Sequence, residues 1–257
     1  MKNIVVFRTP AFEMKKVLIL FLFLTGVSGL NAQSFNLADQ IDSLVGKNVT
    51  KMTPGCVIGI VKDGKTLFKQ CYGSANLDYR IPVTDSTVFN LASVSKQFTA
   101  FLVLLLDKEG KLSLDDEIQK YIPELKNYGH PITIRQLIHH TSGIPSTDNL
   151  RLFAGLSLEM PWDVDDEFGM IKSYQKLNFT PNEEHNYSNA GYVLLTRIIE
   201  KSTGIPFTRC MEEKIFKPLN MKNAVIYDTP GKVIFNRASG YRKAGENFSQ
   251  TNTQGES

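Results

Sequence analysis

Apolar residues recur at helical spacing in several stretches of the chain. Across residues 34–49, Leu37, Ile41, Leu44 and Val45 fall on one face, which predicts an amphipathic helix. Phe98, Phe101, Leu102, Leu104, Leu105 and Leu106 predict a more apolar helix that stops near Gly110, a residue suited to a helix C-cap. Val193, Leu194, Ile198 and Ile199 mark a helix over 191–202 closed by Gly204, and residues 207–219 continue in helical pattern. A short helix is predicted over 133–140, entering the turn Thr141-Ser142-Gly143-Ile144-Pro145, and Ser113 with Asp115 and Asp116 predicts another helix start. Residues 57–61 and 66–70 read as strands around Asp63-Gly64, a two-residue hairpin signal. A polar turn covers 78–86, and after Leu219 the pattern thins into short strands and a polar tail over 243–257. Strands first and many helices afterwards predict an α/β or α+β fold: an antiparallel sheet flanked by helices, with a large helical part.

Composition narrows the picture. The 257 residues are 42% hydrophobic and 21% charged, enough for one large domain with a substantial core. Residues 1–33 carry Lys2, Arg8, Lys15 and Lys16 against Glu13, which accounts for the net charge of +3. Residues 34–257 are electrically balanced and give no case for nucleic acid or an anionic membrane. Lys15 and Lys16 precede an unbroken apolar run over 17–24 and then small and polar residues, the layout of a secretory signal peptide starting at Met14. The apolar run is short for a membrane-spanning helix, and an uncleaved anchor is the alternative. Residues 1–33 are therefore expected to be a leader, with residues 1–13 a product of an upstream start, and residues 34–257 a periplasmic or secreted domain. Export permits disulfides. Cys56 and Cys71 would face each other across the hairpin, leaving open either a bridge or two thiols in a reduced or slipped hairpin.

Candidate chemistry begins at Ser93. Ser93 and Lys96 are three residues apart at the start of an apolar helix, so they share one face. A desolvated lysine amine can take the proton of a serine hydroxyl, and S-x-x-K is the pattern of penicillin-recognising serine enzymes. Ser173 and Lys176 repeat the spacing, but in a polar stretch with no apolar helix behind it. The bland alternative for Ser93 is a helix N-cap with a solvated lysine one turn on. Tyr187-Ser188-Asn189 supplies a phenol able to shuttle protons and an amide able to donate and accept, before the helix at 191. The alternative for Tyr187 is a loop aromatic packed on the core. Asp163, Asp165, Asp166 and Glu167 read as acids at a helix start rather than metal ligands, and His139 and His140 as a helix end rather than a zinc pair. No G-x-S-x-G elbow is present.

Together these segments resemble the serine β-lactamase-related family of class C β-lactamases, DD-peptidases, D-aminopeptidases and esterases. The resemblance runs over about 54–241 and rests on residues 89–100, 133–144, 179–192 and 215–221 in the family's order. It implies a β-lactamase/transpeptidase-like fold with Ser93 as nucleophile, Lys96 and Tyr187 as proton-transfer partners and Asn189 as a substrate-binding residue. The implied activity forms an acyl-enzyme on a β-lactam, D-amino-acid peptide or ester. It calls for no metal or cofactor, a small-molecule or peptide substrate, no nucleic acid and a monomer. Asn182 and Asn220 stand where the family has glycine, and asparagine tolerates positive φ. The family's third motif, a lysine- or histidine-containing triplet ending in glycine on a strand beside the site, has no counterpart before Ser257. The closing C-terminal strands are accordingly expected to be missing and the activity impaired by truncation. A non-catalytic ligand- or peptidoglycan-binding protein is the alternative. Phe153, Trp162 and Phe168, in the variable segment over 143–178, are expected to offer an apolar wall to the cleft.

Overall fold

The structure is a computed structural model. It describes residues 36–158, 162–174, 176–229 and 231–251; the expected leader lies outside them. The chain groups into two compact units.

In the first unit, helix α1 (Leu37–Val45) is capped by Asn36, whose Oδ1 accepts from the Ala38 N–H at 3.2 Å. The unit also holds residues 58–70, most of the hairpin of β1 (Cys56–Lys62) and β2 (Lys65–Tyr72). Asp63 and Gly64 both take positive φ at its tip, as the two-residue turn requires. The hairpin ends belong to the second unit. Cys56 and Cys71 are thiols there, with Cys71 Sγ donating to Asp85 Oδ1 at 3.5 Å.

The second unit carries the core. β3 (Ser74–Asn76) pairs antiparallel with β4 (Ile81–Pro82), and α2 (Lys96–Lys108) follows a single 3-10 turn over Ala92–Ser95. Leu102, Val103 and Leu106 of α2 are fully buried, whereas Phe101 and Leu104 point outward. α3 (Ile134–Ile138) opens with a capping box between Thr133 and Gln136. α4 (Thr147–Phe153) and α5 (Val164–Ser173) come next. α6 (Asn189–Thr203) is the central helix, ending in a left-handed Gly204. Its Leu194, Leu195, Ile198 and Ile199 are fully buried, each contributing about 1.5–3 kcal/mol by removal from water. Gly191 lets α6 close on α3, since a Cβ there would lie 3.3 Å from the Leu137 carbonyl oxygen. α7 (Phe207–Met211) runs into a π-helical turn over Glu212–Phe216.

Two expectations are corrected. The segment beginning at Ser113 forms no α-helix. Asp116 Oδ2 accepts from the Ser113 N–H, Lys120 Nζ and Tyr121 Oη, while the Ile118 N–H donates to Ile132 and Glu117 bridges Thr133. These crosswise bonds leave only a 3-10 turn over Ile118–Lys120. Residues 243–250 of the expected polar tail instead belong to a hairpin, β5 (Tyr241–Ala244) with β6 (Asn247–Gln250), turned by Gly245 at φ +63°; residues 252–257 lie outside the described residues. Its Tyr241 hydroxyl accepts from the Leu77 N–H at 2.8 Å. Asn182 and Asn220 do sit at positive φ, 71° and 54°.

Residues 178–186 are laced to the turn after α3. The N–H groups of Asn178, Asn182 and Asn186 donate to the carbonyls of Gly143, Thr141 and His140 at 2.8, 2.9 and 3.0 Å. Gly143 makes this approach possible. At φ +77° it has no Cβ, and one placed there would lie 2.2 Å from the Phe179 carbonyl oxygen. Gly143→Ala is expected to destabilise the fold by about 2–5 kcal/mol, combining left-handed strain with overpacking. Urea denaturation checks this; an unchanged midpoint would show that the lacing yields without cost.

Candidate active site

Ser93 lies in the 3-10 turn that leads into α2. Its predecessor Ala92 is held at φ +46°, a strained value for a residue with a Cβ, and the Ala92 N–H donates to Asn90 Oδ1 at 2.8 Å. One turn on, Lys96 Nζ donates to Ser93 Oγ at 3.3 Å. Tyr187 arrives from a position 94 residues away, its Oη 2.7 Å from Ser93 Oγ. Lys96 Nζ also lies 5.1 Å from the Tyr187 ring centroid and 5.4 Å from that of Tyr192. Serine hydroxyl, ammonium and phenol therefore meet at one point. With Tyr187 as the phenolate, the arrangement can take the proton of Ser93 Oγ while the Lys96 ammonium offsets the negative charge shared by the two oxygens.

The expectation of a buried, desolvated start to α2 is corrected: Ser93 is exposed, Lys96 half-buried and Tyr187 44% exposed. The Ser93 turn precedes the buried part of α2, which starts only at Thr99. The second S-x-x-K match stays apart. Ser173 Oγ donates back to the Met170 carbonyl at 2.8 Å, and Lys176 is exposed.

Asn189 begins α6. Its Nδ2 donates to Asp148 Oδ2 at 2.6 Å and its backbone N–H to Ser146 Oγ at 3.2 Å, while its Oδ1 is buried with no hydrogen-bond partner. One amide hydrogen has no partner among the described residues, while the carbonyl oxygen is closed off from solvent. Asp148 was not legible as a neighbour of Asn189, because nothing in the sequence couples α4 to the start of α6.

The acidic run over 163–167 divides. Asp163 Oδ1 accepts from the N–H groups of Asp165 and Asp166, and Asp166 reaches back to the Asp163 N–H, a capping box. Asp165 also pairs with Arg197. Glu167 instead turns inward, where its Oε2 accepts from Thr147 Oγ1 at 2.8 Å. Among the described residues no cluster fit to hold a metal ion is present. Burial raises the Glu167 carboxyl above its ordinary value of 4.5. Holding the proton more tightly when folded, it costs stability as pH rises from 4.5 through its higher folded value. Glu167→Gln keeps an acceptor for Thr147 and removes the buried charge. It is expected to raise Tm by a few degrees at neutral pH and to give no gain below 4.5, a difference read by thermal melts at the two pH values.

The expected apolar wall is corrected as well. Phe153 is almost fully exposed, Trp162 stacks under Arg151, and Phe168 packs against the helical core beneath Lys172 and Arg197. Two open clefts, one beside Phe168 and Arg197 and one beside Phe216 and Asn220, do not include Ser93.

His140, assigned from sequence to a helix end, is the residue that sequence reasoning missed. It follows the C-cap residue His139, turns to φ +58°, and lays its ring 4.6 Å from that of Tyr187. The only sequence signal was its place directly before the Thr141-Ser142-Gly143 turn.

A sequence profile described as Beta-lactamase matches residues 41–255. The chain belongs to the β-lactamase family. Among curated relatives, protein flp of Staphylococcus aureus (strain MW2) is 32% identical over 207 residues, covering 74% of this chain and 38% of flp. Among solved structures, the octameric penicillin-binding protein homologue from Pyrococcus abyssi superposes with a TM-score of 0.70 at 28% identity, covering 86% of this chain and 51% of that one. The D-amino acid amidase from Ochrobactrum anthropi SV3, complexed with D-phenylalanine, gives a TM-score of 0.66 at 25% identity, covering 84% and 61%. This β-lactamase-family chain thus spans about two-fifths of the curated relative's length and half to three-fifths of the solved ones. The mixed α/β fold of that family, with small antiparallel sheets and a helical core, is the one described above.

Proposed function

We propose that the protein is a serine hydrolase that forms an acyl-enzyme on Ser93 and acts on a β-lactam, a D-amino-acid peptide or amide, or an ester. The observation that carries this reading is the 2.7 Å contact between Ser93 Oγ and Tyr187 Oη with Lys96 Nζ 3.3 Å from the same serine oxygen. In the proposed cycle Tyr187 reacts as the phenolate, stabilised by the Lys96 ammonium, and takes the Ser93 proton as Oγ bonds to the substrate carbonyl carbon. The leaving amine or alcohol recovers that proton as its bond to carbon breaks. Water then hydrolyses the ester and releases the acid and Ser93. The second amide hydrogen of Asn189 supports a role in holding a substrate amide.

The Ser93 N–H is the proposed first oxyanion donor. Among the described residues no strand is hydrogen-bonded to Ser93. Loss of one oxyanion donor typically costs about 10²–10³ in rate, so feeble turnover by this chain is part of the proposal. The same observation, with the exposure of Ser93, favours a second reading: a protein that binds such ligands without turning them over. Export to the periplasm or beyond and a monomeric state complete the proposal; among the described residues no helix is long and apolar enough to cross a membrane.

Incubation with a fluorophosphonate or a fluorescent penicillin, read by intact mass, tests the reading. A covalent adduct on the full chain supports acylation. Reversible binding with no adduct selects the second reading.

A further inference from the structure

His140 grips the chain on both sides of Tyr187. Its carbonyl oxygen accepts from the Asn186 N–H at 3.0 Å, and its side-chain Nδ1 accepts from the Ser188 N–H at 3.2 Å. Between these bonds its ring lies 4.6 Å from the Tyr187 ring, tilted by 39°, and 5.4 Å from Tyr192. Left-handed φ at +58° is what allows one residue to present both its carbonyl and its ring to the same strand of chain. We infer that His140 is the positioning residue of the site, holding the Tyr187 phenol against Ser93 through a neutral imidazole whose Nδ1 is an acceptor. This deepens the serine-hydrolase reading and rests on Tyr187 being the proton acceptor.

The chemistry of the acceptor bond fixes the tautomer. Nδ1 can accept from Ser188 only if it carries no hydrogen, so the neutral ring is protonated at Nε2. A second proton must go onto Nδ1, where it would face the Ser188 N–H donor to donor. The grip then opens on one side of Tyr187. The groups facing the imidazole are Lys96 from α2, His185 in an edge-on contact at 5.9 Å, the adjacent His139, and the phenols of Tyr187 and Tyr192. Burial first, and then electrostatic repulsion from the neighbouring His185 and Lys96, hold His140 below the ordinary 6.5. The grip is therefore intact at neutral pH and opens as pH falls below that value.

The full chain tests this in two ways. Long-range nitrogen–proton NMR of its imidazoles should show His140 as the Nε2–H tautomer at neutral pH, titrating below 6.5, whether or not the chain turns over substrate. An Nδ1–H tautomer, or titration at or above 6.5, overturns the inference. In fluorophosphonate labelling, His140→Ala should lower the rate constant about 10²-fold, as for a displaced reacting group. His140→Asn, which tolerates the left-handed backbone and keeps an acceptor oxygen near the Nδ1 position, should recover most of that loss. It should also remove the His140 step from the acid limb of the pH profile. His185→Asn should leave the limb in place. Wild-type labelling by His140→Ala overturns the inference, as does an unshifted limb in His140→Asn or a limb that moves with His185→Asn. Full labelling by Tyr187→Phe instead sinks the reading on which the inference rests, so the two failures are distinguishable. Should His140→Ala not fold, the asparagine profile and the tautomer decide.

Discussion

Ser93→Ala abolishes covalent labelling by fluorophosphonate or fluorescent penicillin: that is the largest effect expected. Alanine offers no atom to bond to the acyl or phosphonyl centre, and removing the nucleophile of a serine hydrolase costs on the order of 10⁶ in kcat. The geometry makes the experiment clean. Ser93 is exposed, so losing its hydroxyl opens no cavity in the core, and the buried face of α2 begins six residues later at Thr99. Lys96 and Tyr187 stay beside each other through the 5.1 Å ammonium–ring contact. Loss of the adduct with an unchanged melting curve therefore reports chemistry rather than folding. An adduct of the same mass and rate on Ser93→Ala would remove Ser93 from the mechanism and leave another nucleophile to be found.

Tyr187→Phe comes second, with labelling slowed by about 10²–10⁴, the usual worth of a positioned general base. The substitution deletes one oxygen. Its hydrogen-bond partner is Ser93 Oγ, and the ring contacts with His140 and Lys96 need no hydroxyl. The loss should appear in the chemical step, with little change in reversible affinity for a non-reactive ligand. Fluorophosphonate kinetics with a parallel binding assay separate the two. Labelling at the wild-type rate would show that Lys96 takes the Ser93 proton unaided and that Tyr187 is a packing residue.

Much of the scaffold was legible because it depends on short-range periodicity. The buried stripe of α6, the short helix α3 and the Asp63-Gly64 turn follow from side-chain spacing and turn chemistry, and the left-handed asparagines from the resemblance together with backbone sterics. Each is decided within a few residues. The failures share a cause. Ser113 and its acids carry helix-start chemistry, but bonds to residues 132–135 divert the backbone. The 241–250 hairpin lacks an apolar alternation because its sites are mostly exposed, and its tyrosine is tied to Leu77.

The sequence by itself determined that Ser93 and Lys96 share a face, since three residues of helical turn bring them together wherever the helix lies. It also determined which tyrosine and which asparagine to examine, through their resemblance to a family pattern. Only the tertiary structure decided that Tyr187 comes within 2.7 Å of Ser93, that Asn189 is tied to Asp148, and that His140 stands behind the phenol. Those three contacts span 94, 41 and 47 residues, and no local rule of spacing reaches that far. They are set by the packing of α6 against α3 and by the hydrogen bonds that lace residues 178–186 to the Gly143 turn.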